Sequence, residues 1–74
     1  MTRLPALTGD QVIKALEKAG YKMIRQKGSH AYLKHADGRA TVVPVHKGET
    51  IGRGLLRKIL RDTELSKEEF TALL

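Results

Sequence analysis

The sequence has no cysteine, no long apolar run and few acidic residues. Without cysteine there is neither a disulfide framework nor a thiolate metal site, so packing and hydrogen bonds alone must hold a small core. No apolar run approaches the length of a membrane span, and the first ten residues lack the apolar stretch of a signal peptide. We therefore expect one domain over residues 1–74, without a membrane anchor and located in the cytoplasm.

Acidic residues are especially scarce in the body of the chain. Residues 1–61 contain 13 Lys and Arg against 4 Asp and Glu, a net charge of +9, whereas residues 62–74 have a net charge of −3. A field of this sign favours a polyanion, because each cation that neutralises a phosphate releases a condensed counterion. Charge alone leaves open the alternative of a basic surface that has no partner.

Helix and strand signals alternate along the chain. The segment Thr8-Gly9-Asp10-Gln11 has the spacing of a capping box and predicts a helix from Gly9 to Ala19, which Gly20 ends. Strands are predicted over residues 21–25, 29–35 and 40–46, followed by a loop over residues 46–54. Apolar residues then recur at helical spacing over 55–60, and a second capping box at 66–69 opens a short terminal helix. The order predicts an α+β domain with a three-stranded antiparallel meander.

The loop Ala36-Asp37-Gly38 decides which side chains share a face of the sheet. A two-residue turn at Asp37-Gly38 would mix apolar and polar side chains on both faces. A three-residue loop with Gly38 in the left-handed conformation would instead pair His30 with Pro44, and Pro44 favours an edge strand. We prefer this register because it separates the side chains that form the core from those that face solvent. The core side would hold Ala31, Leu33, Thr41, Val43 and Val45, and the other side His30, Tyr32, Lys34 and His46.

The triplet Gly28-Ser29-His30 places an imidazole where a turn leads into the second strand. Histidine exchanges a proton near neutral pH, as cleavage of RNA by its own 2′-hydroxyl requires. Taken alone, the triplet is more typical of a surface histidine beside a turn. His46 lies diagonally across from His30 in the preferred register and is a second catalytic candidate, although a solvated histidine is the alternative.

No metal or cofactor is predicted, because His35 faces away from the other two histidines and the carboxylates of residues 1–61 are scattered. Any catalysis should therefore be independent of metal. The candidate RNA-binding residues are cations of the sheet, its following loop and the second helix, together with the turn before His30. They are Arg25, Lys27, Gly28, Ser29, Lys34, Lys47, Arg53, Arg57, Lys58 and Arg61. A solvated helix face is the alternative for the last four.

Five segments in a specific order carry a family resemblance. They are Gly20-Tyr21, residues 25–30, residues 43–46, residues 54–60, and Leu65-Ser66 before residues 68–70. In this order and spacing the chain resembles the HicA family of small toxins, messenger-RNA interferases that pair with HicB antitoxins. The segment Asp62-Thr63-Glu64 departs from the family, in which we expect a turn of small residues and glycine between the last two helices.

The resemblance implies a fold similar to double-stranded RNA-binding domains, with the helices on one face of the sheet and a short C-terminal helix. It also implies that His30 is the catalytic residue and that an antitoxin covers the basic face. Our leading hypothesis is the toxin of a type II toxin–antitoxin system, a metal-independent endoribonuclease of mRNA with His30 as general base and His46 as candidate acid. The alternatives are a non-catalytic RNA-binding adaptor and a module that docks an acidic protein.

Overall fold

The structure, a computed structural model, describes residues 4–74, and residues 1–3 of the expected domain lie outside the described residues. Its elements are α1 (Gly9–Lys18), β1 (Lys22–Lys27), β2 (His30–Lys34), β3 (Ala40–Pro44), α2 (Arg53–Thr63) and α3 (Lys67–Thr71). The α+β class, the α-β-β-β-α order and the short terminal helix expected from the sequence are confirmed. Among residues 4–74 no helix combines the length and apolar character that crossing a membrane requires.

The three strands form an antiparallel sheet in the order β1-β2-β3, so that β1 and β3 are its edges. The edge position expected for Pro44 is confirmed. Both α1 and α2 contact β3 and pack on one side of the sheet. The side chains that face them are buried on β2 and β3, namely Ala31, Leu33, Thr41 and Val43. The other side of the sheet, which no helix covers, is called the open face below.

The hairpin between β2 and β3 has the predicted three-residue loop. The His35 N–H donates to the Arg39 carbonyl at 2.8 Å, and the Gly38 N–H donates to the His35 carbonyl at 2.9 Å. Gly38 has φ of +100°, which is the left-handed region that favours glycine. His30 consequently pairs with Pro44 and Leu33 with Thr41. The register chosen from the sequence is confirmed.

Both predicted capping boxes are present. The Thr8 hydroxyl accepts from the Gln11 N–H while the Gln11 side chain accepts from the Thr8 N–H, and Ser66 and Glu69 repeat the arrangement. The first strand differs from its prediction, because it begins at Lys22 and continues to Lys27 instead of ending at Arg25. The turn that follows needs only Gly28 and Ser29, so the strand gains two further residues.

The connection between α2 and α3 forms without glycine. α2 ends at Thr63, and Glu64 adopts a left-handed conformation with φ of +57°. The Thr63 carbonyl accepts from the buried Tyr21 hydroxyl at 2.9 Å and from Arg39 Nη1 at 2.7 Å. These two bonds tie the end of α2 both to the start of β1 and to the hairpin between β2 and β3.

Candidate nucleic-acid interface

The hairpin between β1 and β2 positions His30. Lys27 pairs with His30, so only Gly28 and Ser29 form the loop. Gly28 has φ of +58° whereas Ser29 has no positive φ, which is the pattern of a type II′ turn with glycine in its first position. A side chain added at Gly28 would meet no atom within 4 Å. The backbone angle, and not a lack of space, therefore requires glycine here.

A β-bulge at Ile24 decides which way the cations of β1 point. Met23 pairs with Leu33, but Arg25 pairs with Tyr32, so Ile24 is an extra residue in β1. Without it, strict alternation from Met23 would turn Arg25 and Lys27 towards the helix side. With it, Arg25 and Lys27 lie on the same face as Tyr32 and His30. The bulge therefore gathers the basic residues around His30.

The open face carries charge of one sign. Its charged side chains are all cationic, and its remaining residues are Tyr32, the neutral residues of β3 and His30. In strand order the open-face residues are Lys22, Arg25, Lys27, His30, Tyr32, Lys34, Ala40, Val42 and Pro44. No aspartate or glutamate of the three strands lies there. A surface of this composition attracts phosphate, and its field is not cancelled by neighbouring carboxylates.

His30 is exposed at the start of β2, where its backbone is held from both sides. Lys27 pairs with it on β1 and Pro44 on β3, and the Val45 N–H donates to the Ser29 carbonyl at 2.6 Å. Within residues 4–74 its imidazole forms no hydrogen bond. The sheet thus fixes the backbone position of His30, while both nitrogens of its imidazole remain open to a ligand.

The third strand ends at Pro44 and not at His46 as predicted, so His46 lies just beyond β3 and is not one of the open-face residues. It stands at the start of a turn in which the Glu49 N–H donates to the His46 carbonyl. Lys47 is exposed in the same turn. The loop is anchored farther on, because the Ile51 N–H donates to the Leu7 carbonyl at 2.6 Å and Ile51 is 9 % exposed. His46 and Pro44 line a shallow depression together with residues 49–52 and 55. His46 therefore belongs to a tethered loop at the same end of β3 as Pro44, the partner of His30.

His35 is part of the hairpin's support and lies away from His30. Its ring meets the Tyr21 ring edge-on with centroids 5.1 Å apart, and its Nδ1 lies 3.1 Å from the Asp37 N–H. Hydrogen bonds from the Arg39 backbone and side chain lower the pKa of Asp37, which keeps that carboxylate charged beside the loop. Among residues 4–74 no group of three or more histidine or carboxylate side chains lies close enough together to hold a metal ion.

The second helix presents its cations on a different layer of the molecule. Arg53, Arg57 and Arg61, called the arginine row below, are exposed and spaced four residues apart. Lys58 differs from them, because it pairs with Asp62 at 3.1 Å, and Asp62 also accepts from the Thr41 hydroxyl. At 100° per residue the row lies on the flank of α2 away from Asp62. The structure thus joins Arg25, Lys27, Lys34 and His30 on the open face and sets the arginine row apart, in the helix layer.

Sequence reasoning missed one feature of this face, the contact between Arg25 and Tyr32. The Arg25 guanidinium lies 5.9 Å from the centre of the Tyr32 ring. It depends on the bulge at Ile24, for which the sequence does contain a signal. Tyr21 is buried, and strict alternation from it would place Arg25 and Lys27 on the same side of the strand as Tyr21. Two cations in phase with a buried aromatic residue indicate an extra residue in the strand.

The fold and this face define a small α+β domain with the architecture of double-stranded RNA-binding domains and a cationic sheet surface. Residues 9–65 match the family model of the HicA toxin of bacterial toxin–antitoxin systems. Because this match covers more than half of the 74 residues, the chain belongs to the HicA toxin family, and the resemblance is confirmed. A comparison with curated proteins found no match. Membership of a toxin–antitoxin family implies an antitoxin as partner.

Proposed function

We propose that this protein is the toxin of a type II pair and that it cleaves mRNA in the cytoplasm as a metal-independent endoribonuclease. The observation that carries the proposal is the register of the β1–β2 hairpin. It sets Lys27 directly opposite His30 on a face whose charged residues are all cationic. Membership of the HicA toxin family supports the same function. A proton-transfer group and phosphate-binding groups therefore lie together on a rigid sheet.

The proposed reaction begins with the imidazole of His30, which removes the proton of a ribose 2′-hydroxyl. The 2′-oxygen then bonds to the adjacent phosphorus, and the bond from phosphorus to the 5′-oxygen breaks. His46, in the tethered loop beyond β3, is the candidate acid that protonates the leaving oxygen. The products are a 2′,3′-cyclic phosphate and a 5′-hydroxyl.

The cations of the open face stabilise the charge that develops on the phosphorane oxygens. Lys27 is nearest to His30 because the two residues pair, and Arg25 follows at the next open-face position of β1. Gly28 and Ser29 form the turn against which the backbone of the RNA lies. Lys34 extends the phosphate track along β2. We assign Lys47, Lys58 and the arginine row to more distant phosphates, where attraction raises the rate of encounter.

The test is cleavage of a long RNA by wild-type protein and the variants His30→Gln and His46→Gln. We expect no cleavage by His30→Gln, a bell-shaped pH profile for wild type, and loss of one limb of that profile in His46→Gln. Cleavage should persist in excess EDTA and should leave 2′,3′-cyclic phosphate ends. Undiminished cleavage by His30→Gln would contradict the assignment, and loss of cleavage in EDTA would replace it with a metal mechanism.

A non-catalytic RNA-binding adaptor is the second candidate. One observation favours it, since within the described residues no carboxylate orients the imidazole of His30, as carboxylates do in many catalytic histidine pairs. An adaptor would bind RNA with a steep dependence on salt and would cut nothing. The RNA recovered from the cleavage assay, with its ends analysed, separates the two functions.

We further propose that the antitoxin is of the HicB type and covers the open face. A surface with four cations along its strands and no carboxylate fits an acidic protein segment as well as it fits RNA. Antitoxin and RNA should therefore compete. Addition of a HicB-type partner to labelled RNA and His30→Gln protein is expected to release the RNA, and simultaneous binding of both would contradict this proposal.

A further inference from the structure

Tyr32 is the one aromatic residue of the described chain that the core does not enclose. Phe70 is 0 % and Tyr21 is 1 % exposed, whereas Tyr32 is half-buried on the open face. Within residues 4–74 its hydroxyl forms no hydrogen bond. A ring placed in this way has no part in the core, and no hydrogen bond within the described residues accounts for its position.

The neighbours of Tyr32 suit a planar ligand. His30 precedes it by two residues on the same strand and face, a separation of about 6.6 Å along the strand. Across the sheet, Tyr32 pairs with Val42 on β3 and with Arg25 on β1. The Arg25 guanidinium lies 5.9 Å from the ring centre, within the range of a cation–π contact. The ring therefore has Val42 and the Arg25 cation as its cross-strand neighbours, and it lies two residues along β2 from the proposed catalytic base.

We propose that Tyr32 and Arg25 form a base-stacking subsite for an unpaired nucleotide next to the phosphate that is cut at His30. This inference rests on the proposed function and adds a substrate class to it. A base stacks on the Tyr32 ring, while the Arg25 guanidinium binds the adjoining phosphate. A nucleobase suits the pair better than a phosphate alone, since phosphate binding needs cations but no aromatic surface.

The subsite has a consequence for the form of the RNA. In a duplex every base is already stacked on its neighbours and paired, so none is available to the ring of Tyr32. Domains of this architecture that recognise duplexes read the shape and 2′-hydroxyls of the minor groove. The open face of this protein instead selects single-stranded RNA, and regions of mRNA that are paired should resist cleavage.

The stacking itself can be observed by fluorescence, because the sequence has no tryptophan. The variant Tyr32→Trp, made in the His30→Gln background so that no RNA is cut, is titrated with a short single-stranded RNA. We expect quenching of the indole emission by the stacked base. A duplex of the same length, and polyphosphate as a chain of phosphates without bases, should leave the emission nearly unchanged. Met23→Trp in the same background is the matched control, because Met23 is 40 % exposed on the side of the sheet opposite Tyr32.

Binding and cleavage supply the second measurement. In the His30→Gln background, Tyr32→Ala should weaken binding of single-stranded RNA about 5- to 150-fold, the range expected for loss of one stacked base. Tyr32→Phe retains the ring and should bind like Tyr32. Equal binding by the Ala and Phe variants, or equal quenching by duplex and single strand, would overturn the subsite.

The two proposals fail in different ways. If His30→Gln abolishes cleavage while Tyr32→Ala cleaves and binds like wild type, the catalytic assignment stands and the subsite is wrong. If neither wild type nor any variant cleaves, but RNA still quenches the indole of the Tyr32→Trp protein and Tyr32→Ala still weakens binding, the subsite stands and the protein is an adaptor. Quenching of the Tyr32→Trp variant by an antitoxin but not by RNA would overturn the subsite, since the ring would then bind protein.

Discussion

Lys27 lies directly opposite His30 on adjacent strands, with only Gly28 and Ser29 between them in the chain. Side chains of directly opposed residues start about 5 Å apart and share a face of the sheet. A phosphate that approaches the imidazole therefore also meets the ammonium group. Lys34 provides a comparison, because it is an exposed lysine on the same face of β2 at the far end of the strand.

The first prediction concerns this pair of lysines. Lys27→Gln should lower single-turnover cleavage about 10- to 100-fold, less than the loss of a buried oxyanion donor because Lys27 is exposed and screened. Lys34→Gln removes the same charge from the same face and should lower cleavage only about 2- to 5-fold, through weaker attraction of RNA. Lys27→Arg keeps the charge and should retain most activity. Equal losses in both Gln variants would show that only the net charge of the face matters.

The register of the sheet was predictable because two independent signals agree on it. The apolar residues of β2 and β3 alternate with polar ones, and Gly38 can adopt the left-handed angle that a three-residue loop requires. The helix starts were predictable for a similar reason, since each capping box is a local pattern of two side chains. These features are determined by residues that are close together in the chain, so they can be predicted from the sequence.

The sequence contains only an indirect signal for the bulge at Ile24 and none for the layer of the arginine row. The bulge lets the buried Tyr21 reach the Thr63 carbonyl while Arg25 and Lys27 lie on the open face, and the first of these demands comes from a distant element. The spacing of Arg53, Arg57 and Arg61 gives a helical stripe but not the direction it faces. That direction follows from packing of α2 on β3 and from the hydrogen bond that the Thr41 hydroxyl donates to Asp62.

The second prediction tests the turn that carries His30. Gly28→Ala should lower the free energy of unfolding by about 1–3 kcal/mol, because a residue with a side chain is strained at φ of +58°. Gly54→Ala is the control, since Gly54 lies in the first turn of α2 and an added side chain meets no atom within 4 Å. That variant should raise the same quantity by about 0.5 kcal/mol through helix propensity. Urea unfolding of both variants measures the difference. A Gly28→Ala variant with an unchanged free energy of unfolding would contradict the type II′ turn.

The third prediction concerns the connection in which the sequence departs from its family. Glu64 has φ of +57° at the end of α2, a conformation that costs a residue with a side chain about 1–2 kcal/mol. Glu64→Gly should therefore stabilise the protein by about 0.5–1 kcal/mol after the larger entropy of an unfolded glycine is subtracted. Glu64→Ala is the matched control and should not stabilise, since it removes the charge but keeps the strain. Equal stabilities of the Gly and Ala variants would show that the angle is not the cause.

The fourth prediction uses the buried hydroxyl of Tyr21, which donates to the Thr63 carbonyl at 2.9 Å. Tyr21→Phe should cost about 0.5–1.5 kcal/mol near neutral pH, and not more, because Arg39 Nη1 at 2.7 Å still satisfies that carbonyl. Burial raises the pKa of Tyr21, so its protonated form is favoured in the folded chain. The stability that Tyr21 contributes is therefore complete below the unfolded pKa of about 10 and falls as the pH rises towards the folded value.

This dependence predicts how wild type and Tyr21→Phe diverge with pH. The difference in their free energies of unfolding should be constant from about pH 7 to about pH 9 and should shrink above about pH 10, where only wild type can lose the phenolic proton. Lysines also lose their charge in that range, but they do so in both proteins and cancel in the difference. Urea unfolding across the range measures it. A difference that stays constant up to about pH 11 would mean that the hydroxyl is hydrated in the folded protein. Of the two bonds to the Thr63 carbonyl, only the one from Arg39 in the hairpin between β2 and β3 would then remain.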